Sequence, residues 1–185
     1  MLIAIISDIH DHIGQLRAAL AQARAAAELI CCGDLCSPFI IDELAKGFAG
    51  PIHIVFGNND GDLLRIPLRA GPYGGRVRIY GEFVELVEQG GALLAADRDP
   101  LPGAFHDRAW GGRRIAVVHY DNIGRTIAAG GRHDAVCYGH SHRYEVTRDG
   151  ATLRINPGEV MGGLTGSSSF VLYDTVTGEA RQVIV

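Results

Sequence analysis

Met1-Leu2-Ile3-Ala4-Ile5-Ile6-Ser7-Asp8-Ile9-His10 opens the chain, and its reading decides the fold. Leu2 to Ser7 is a short apolar run ending on a polar residue, the pattern of a strand buried on both faces, so Asp8 falls just past a strand end. Positions 13 to 27 then set Ile13, Leu16, Leu20 and Ala23 at helical spacing in an alanine-rich stretch, and positions 28 to 33 read as another strand. This is a βαβ opening. A helix at 38 to 47 and a strand at 52 to 56 repeat the cycle and predict an α/β fold. In open α/β sheets ligands gather at the carboxyl ends of strands, so the residues just after these runs are the first candidates for chemistry.

From Gly61 to Gly112 glycines and prolines break every periodicity that starts. Two strands are expected near 76 to 88, followed by a variable, loop-rich excursion at about 90 to 112 that either covers part of a cleft or pads the surface. Beyond it, 114 to 118 reads as a strand, 122 to 129 as a short helix and 134 to 138 as a strand. Runs at 143 to 148, 152 to 156, 169 to 174 and 180 to 184, punctuated by Asp149-Gly150 and Thr177-Gly178, predict antiparallel strands. No repeat, linker or low-complexity segment divides the chain, so residues 1–185 are expected to form a single domain.

Composition narrows the function. Of 185 residues 47% are hydrophobic and 21% charged, enough for one buried core. The net charge of -4 advertises no basic surface, so stable nucleic-acid binding is not expected. No apolar run approaches the roughly 18 to 20 residues that cross a bilayer, and Asp8 and His10 interrupt any signal-peptide reading; no membrane partner and a cytoplasmic location are expected. Cys31, Cys32, Cys36 and Cys137 lack paired CxxC spacing, which predicts reduced thiols, with no disulfide and no structural zinc.

Four segments place metal-binding side chains directly after apolar runs: Asp8-Ile9-His10, Gly33-Asp34, Gly57-Asn58-Asn59-Asp60 and Gly139-His140-Ser141-His142, with His119 a fifth point after Val117 and Val118. Each alone is a weak signal, because a strand-end Asp is commonly a turn or helix cap. Alternate residues of an extended segment point the same way, so Asp8 with His10, and His140 with His142, would each present a pair to one locus. Two pairs suggest two metal positions. Carboxylate, imidazole and amide donors suit borderline divalent ions such as manganese, iron, zinc or nickel, with manganese first among them, and do not fit an all-oxygen calcium site.

DxH, GD, GNxD, a lone His after a strand and GHxH, in this order, resemble the calcineurin-like metallophosphoesterases. The Asn156-Pro157-Gly158 turn narrows the resemblance to the small bacterial and archaeal phosphodiesterase branch, over nearly the whole chain apart from the 90 to 112 excursion. The resemblance implies a four-layer αββα sandwich of two mixed β-sheets with the motif loops meeting at one edge. It also implies that Asp8, His10 and His142 hold one metal, that Asn58, His119 and His140 hold the other, and that Asp34 bridges them. Catalysis is then expected to rest on Asp34, Asn58, His119 and Asp60, the last by orienting a neighbour through a hydrogen bond, with a turn cap as its alternative role. The implied activity is dinuclear: two metals roughly 3.5 to 4 Å apart acidify a water that attacks the phosphorus of a small phosphate ester, most naturally a diester. A homodimer is plausible from the same resemblance. The competing reading is a noncatalytic protein-binding scaffold on the same fold, as in a related vesicle-coat subunit.

Some positions depart from the family pattern. Asn59 stands where many members carry a histidine that protonates the leaving oxygen, a step that commonly contributes roughly 10²- to 10⁴-fold. An amide cannot replace it, so activated leaving groups are expected, with His12 or His106 as substitutes to consider. Tyr120-Asp121 follows His119 where the family commonly has Gly, and Glu159 follows the NPG turn where a small residue is usual. Tyr120 is read as packing. His53 is read as a satisfied core residue, His133 as a loop residue, Cys31, Cys32 and Cys137 as strand packing, and Cys36 as a possible neighbour of the cleft. Arg98, Arg108, Arg113 and Arg114 are read as surface charge, and Arg125 is the arginine to test first against a substrate phosphate.

Overall fold

Ile3 and Ile5 face one way and Ala4 and Ile6 the other, and all four are fully buried, so the opening strand is sandwiched between two apolar layers. In the computed structural model, which describes residues 1–96 and 112–185, this strand β1 (Leu2–Ile6) is central to a six-stranded sheet. The helix α1 (Ile13–Gln22) leads to β2 (Glu28–Cys31), α2 (Ile40–Gly47) leads to β3 (Ile52–Ile54), and α3 (Arg65–Ala70) leads to β4 (Val77–Ile79). The strands β1 to β4 run parallel. The hairpin β11 (Ser169–Asp174) and β12 (Glu179–Ile184) completes the sheet, with β11 antiparallel to β1.

The second sheet has the order β6 (Ala92–Ala95), β5 (Phe83–Gln89), β7 (Arg114–Val118), β8 (Ala135–Cys137), β10 (Thr152–Asn156), β9 (Glu145–Asp149). The helix α4 (Asp121–Ala129) crosses from β7 to the parallel β8, and β10 is parallel to β8. Both sheets are therefore mixed.

Three apolar clusters define the layers. Ala4, Ile6, Leu29 and Ile54 pack outward under Leu16 and Leu20 of α1 and Ile41 and Leu44 of α2. Ile3, Ile5 and Ile30 pack inward against Val84, Leu86, Ile115, Val117 and Ile155 of the facing sheet. Ala116, Val118, Val136 and Tyr138 pack under Ala128 of α4. The order is helix, sheet, sheet, helix, as the resemblance implied. Side-chain alternation along a strand lets β1 serve two layers at once.

Two expectations need correction. The excursion at 90 to 112 begins with β6, whose Leu93 is buried in the core between the sheets, so its first part is structural and not loop; positions 97–111 lie outside the described residues. The broken stretch after Gly61 hides α3, whose Ile66 and Ala70 are buried although Pro67 sits near its start, where a missing N–H costs nothing. The last four runs are antiparallel in consecutive pairs, as expected, with β9 and β10 in one sheet, where β10 is also parallel to β8, and β11 and β12 in the other. Among the described residues, no helix is long and apolar enough to cross a membrane.

Candidate metal centre

The parallel strands β1, β2 and β3 of one sheet and β7, β8 and β10 of the other end at a shared edge, and the loops leaving these six ends carry the predicted motif residues. Asp8 and His10 follow β1, Asp34 follows β2, Asn58 follows β3, His119 follows β7, and His140 and His142 follow β8. Non-glycine residues with a left-handed backbone among those described are Asp8 (φ 55°), His10 (φ 44°), Asp11 (φ 60°), Asp34 (φ 56°), Cys36 (φ 74°), His140 (φ 66°) and His142 (φ 61°). Each costs on the order of 1 kcal/mol or more, and such strain persists where surrounding structure forces it, commonly at functional sites. Asp8 with His10, and His140 with His142, are thus not aligned by an extended backbone. Tight left-handed turns aim them.

The loops approach so closely that side chains are excluded. A Cβ on Gly57 would lie 2.2 Å from Asp34 Oδ1, and one on Gly139 would lie 1.9 Å from Ser7 Oγ. Glycine is required at both positions by contact, not by its own torsion.

Seven side chains meet. The ligand atoms of Asp8, His10 and His142 lie within 4.8 Å of one another, as do those of Asp8, Asp34 and His119. His142 Nε2 is 3.5 Å from Asp8 Oδ1, and the His10 and His142 rings stack with centroids 5.2 Å apart. On the other side Asn58 Oδ1 lies 3.0 Å from His119 Nε2 and 2.9 Å from His140 Nδ1. Between the two groups, Asp34 Oδ2 is 3.4 Å from His10 Nε2 and 3.5 Å from His119 Nε2. His140 therefore lies beside Asn58 and His142 beside Asp8, which corrects the expectation from alternation that the two would face one locus.

Burial makes the cluster electrostatically costly without a cation. Asp8, Asp34 and His119 are at most 1% exposed, and Asp8 Oδ1 and His10 Nε2 are buried with no hydrogen-bond partner. Orphaned donor and acceptor atoms of this kind, aimed into one cluster of oxygen and nitrogen donors, fit divalent metal ions. Burial works against charge on Asp34, but His119 and two N–H groups of Asn59 outweigh it and hold the carboxyl well below the usual range. The neighbouring Asp8 carboxylate, with Oδ1 3.9 Å from His10 Nε2, and then the charge of Asp34 raise His10 above its ordinary value against the opposing effect of burial. Burial lowers His119 and Asp34 raises it by more.

Supporting contacts fix the donors. Asp60 is buried and spends its carboxylate on amides: Oδ2 accepts from Gly57 N at 2.7 Å and Asp34 N at 3.0 Å, and Oδ1 accepts from Cys36 N at 2.8 Å. It both caps its own turn and clamps the loop of Asp34, and does not point into the cluster. His119 Nδ1 donates to the Cys32 carbonyl at 2.8 Å, leaving Nε2 for the site. Cys36 Sγ lies 3.5 Å from His10 Nδ1, so this cysteine does border the centre. Asn59 stands beside Asp34, with N and Nδ2 each donating to it at 2.8 Å. Tyr120 packs its ring edge-on against His119 and His140, with centroids 5.4 and 5.0 Å away.

Other candidates lie elsewhere. His12 caps α1, its Nδ1 accepting from Gln15 N at 3.3 Å, and His53 is a satisfied core residue between Glu28 and Tyr80. Arg125 pairs with Glu145 and Asp121, so its guanidinium is already engaged. Arg113 and Arg114 are half-buried ties to Asp134 and Glu85 and not solvated charges. His106, Arg98 and Arg108 fall outside the described residues. Sequence reasoning missed the role of Glu159: its departure from the family turn was noticed, but not that its carboxylate reaches His142 Nδ1 at 2.8 Å.

Two facing mixed sheets with this donor cluster at their common edge define a metal-dependent hydrolase. The chain matches the model of the calcineurin-like phosphoesterase superfamily domain over residues 1–178 and belongs to that superfamily; it is a metal-dependent phosphoesterase. It is 27% identical to a phosphodiesterase of Methanocaldococcus jannaschii, over all of this chain and 99% of that one. A solved structure described as a novel archaeal phosphodiesterase matches with a TM-score of 0.81 at 26% identity, covering 100% of both chains. The E. coli phosphoesterase Yfce shares the fold at 17% identity and a TM-score of 0.57, over 99% of this chain and 98% of that one. Vps29 from Entamoeba histolytica does so at 17% identity and 0.59, over 100% and 99%.

Proposed function

We propose that this chain is a phosphodiesterase working with two divalent ions, in which Asp8, His10 and His142 hold one ion, Asn58, His119 and His140 hold the other, and Asp34 serves both. The observation that carries the proposal is the position of Asp34 Oδ2, 3.4 Å from a nitrogen of one group and 3.5 Å from a nitrogen of the other. Ions in such a pair supply an acidified attacking water and neutralise charge on the nonbridging phosphate oxygens. The chain's own residues set the geometry. Asp60 clamps the loops of Asp34 and Asn58, Cys32 fixes His119 with Nε2 free, and the Asn59 amide steadies Asp34.

Asn59 also shapes the substrate class. It donates hydrogen bonds but cannot surrender a proton at neutral pH, so a departing alkoxide finds no acid there. Diesters with aryl or nucleotide-type leaving groups are the substrates this site is built to cleave. The phosphodiesterase name of the archaeal relative supports the same class. Manganese is the first ion to test, ahead of iron, zinc and nickel. Four free cysteines accord with action in a reducing cytoplasm. A noncatalytic scaffold has less support, since such a role needs no complete set of seven donors.

The test is reconstitution of the protein with each ion, followed by a screen of mono-, di- and cyclic phosphates that includes bis-p-nitrophenyl phosphate. Diester turnover that depends on added metal and vanishes in Asp34→Asn is expected. Full activity in Asp34→Asn would refute the shared role of that carboxylate.

A further inference from the structure

Glu159 is fully buried, and a buried carboxylate is costly unless its lone pairs are taken up. Its Oε1 accepts from Leu164 N at 2.9 Å, Thr165 N at 2.7 Å and Thr165 Oγ1 at 2.8 Å. Oε2 faces one partner, His142 Nδ1, at 2.8 Å. An ionised carboxylate only accepts, so this contact puts the imidazole proton on Nδ1 and leaves the Nε2 lone pair facing Asp8, whose Oδ1 is 3.5 Å away.

The same segment grips a second donor of that group. Val160 N donates to Ser7 O at 3.0 Å and Met161 N to Asp8 O at 3.1 Å. Three consecutive residues thus orient both Asp8 and His142. Among the described residues no carboxylate stands behind the histidines of the other group: His119 Nδ1 leans on the neutral Cys32 carbonyl, and His140 turns its Nδ1 into the site toward Asn58. His10 Nδ1 meets only the weakly polar Cys36 Sγ. Among the described residues, His142 is the one histidine of the centre whose outward nitrogen leans on a carboxylate.

We propose that Glu159 is a positioning residue that makes the two metal positions unequal, orienting His142 and strengthening its Nε2 as a donor so that the Asp8, His10 and His142 position binds its ion the more tightly. The inference rests on the two-ion reading above. A carboxylate behind a ligating imidazole fixes its tautomer and raises its basicity, and loss of such a partner typically weakens metal binding about 10- to 100-fold.

The experiment is calorimetric titration of the metal-free full chain with Mn2+, comparing wild type, Glu159→Gln and Thr165→Val. Wild type is expected to show two events of different affinity. Glu159→Gln should weaken the tighter event about 10- to 100-fold and spare the weaker one. Thr165→Val, which removes a hydroxyl donor to Glu159 without touching His142, should leave both events in place. Equal losses in both events, no loss, or the same loss in Thr165→Val would overturn the role of Glu159, leaving it a brace for the 160–165 loop. A single event or none in wild type would instead overturn the two-ion reading. Nitrogen-15 shifts of His142 in metal-free wild type add a readout independent of metal and of any variant's folding: the proton belongs on Nδ1, and finding it on Nε2 would overturn the inference.

Discussion

Replacing Asp60 with Asn removes one charge and should unsettle two loops at once. The carboxylate takes three amides, from Asp34 and Gly57 on Oδ2 and from Cys36 on Oδ1. An asparagine in its better orientation keeps the oxygen over Asp34 and Gly57 and turns its NH2 toward the Cys36 N–H, donor against donor. One part-buried N–H is then unpaired, at a cost of about 1 to 3 kcal/mol, and the two remaining bonds lose the strength a charged acceptor gave them. For a chain of this length about 1 kcal/mol shifts the melting point by roughly 2 to 4 °C, so a fall of about 2 to 12 °C is expected. Asp60→Ala orphans all three donors, roughly 3 to 9 kcal/mol, which is comparable with the whole stability of a typical domain. The assay is thermal unfolding followed by circular dichroism in EDTA, so that metal binding does not mask the change, with Mn2+ affinity measured alongside. An Asp60→Asn variant that melts within a degree of wild type in EDTA and binds metal as well would refute the clamp.

Three further outcomes are expected. Asn59→His supplies the missing proton donor, so turnover of diesters with poor alkyl leaving groups should rise while aryl substrates gain little; a uniform change across leaving groups, read from a series of graded alcohol pKa, would count against the argument. His10 and His119 are raised by neighbouring carboxylates and must be neutral to bind metal, so Mn2+ affinity should fall as the solution is acidified, with protons released on binding. Calorimetry in buffers of different ionisation enthalpy measures that release, and none would contradict it. Far from the centre, His133 and then Arg114 pull Glu85 down from 4.5 to about 2 against the opposing effect of burial. A depressed carboxylate adds stability present above its unfolded value and lost as pH falls toward its folded one, here between pH 4.5 and 2. The full shift is worth about 3 kcal/mol, reduced to about 1 to 2 by solvent screening; Glu85→Gln should therefore flatten the acid limb of the melting-point profile, and an unchanged limb would sink the assignment.

The site was legible in the sequence because its donors sit where buried strands stop. A run such as Leu2 to Ile6 announces its own end, and the residue just past it needs no tertiary knowledge to locate. The pairing of donors was not legible in the same way. Alternation treated the segments from Asp8 to His10 and from His140 to His142 as extended, whereas left-handed turns at all four residues send His140 and His142 to different groups. Those torsions are imposed by close loop contacts, Gly57 against Asp34 and Gly139 against Ser7, between positions far apart in sequence. The helix α3 was hidden because Gly61, Pro67 and Gly71 carry turn chemistry while its buried residues are just Ile66 and Ala70. Strand β6 was hidden by the Gly90-Gly91 turn that begins it, since four residues are too few to show a period. Glu159 stood out as an anomaly in the NPG turn, but nothing local says that it reaches His142, 17 positions earlier.

The central claim is that seven side chains hold a pair of cations with Asp34 between them. Anomalous diffraction from crystals of the manganese-loaded protein addresses it directly. The account predicts two anomalous peaks, one against Asp8, His10 and His142 and one against Asn58, His119 and His140, each within coordination distance of the Asp34 carboxylate. A lone peak, or manganese bound anywhere but among these residues, would contradict it.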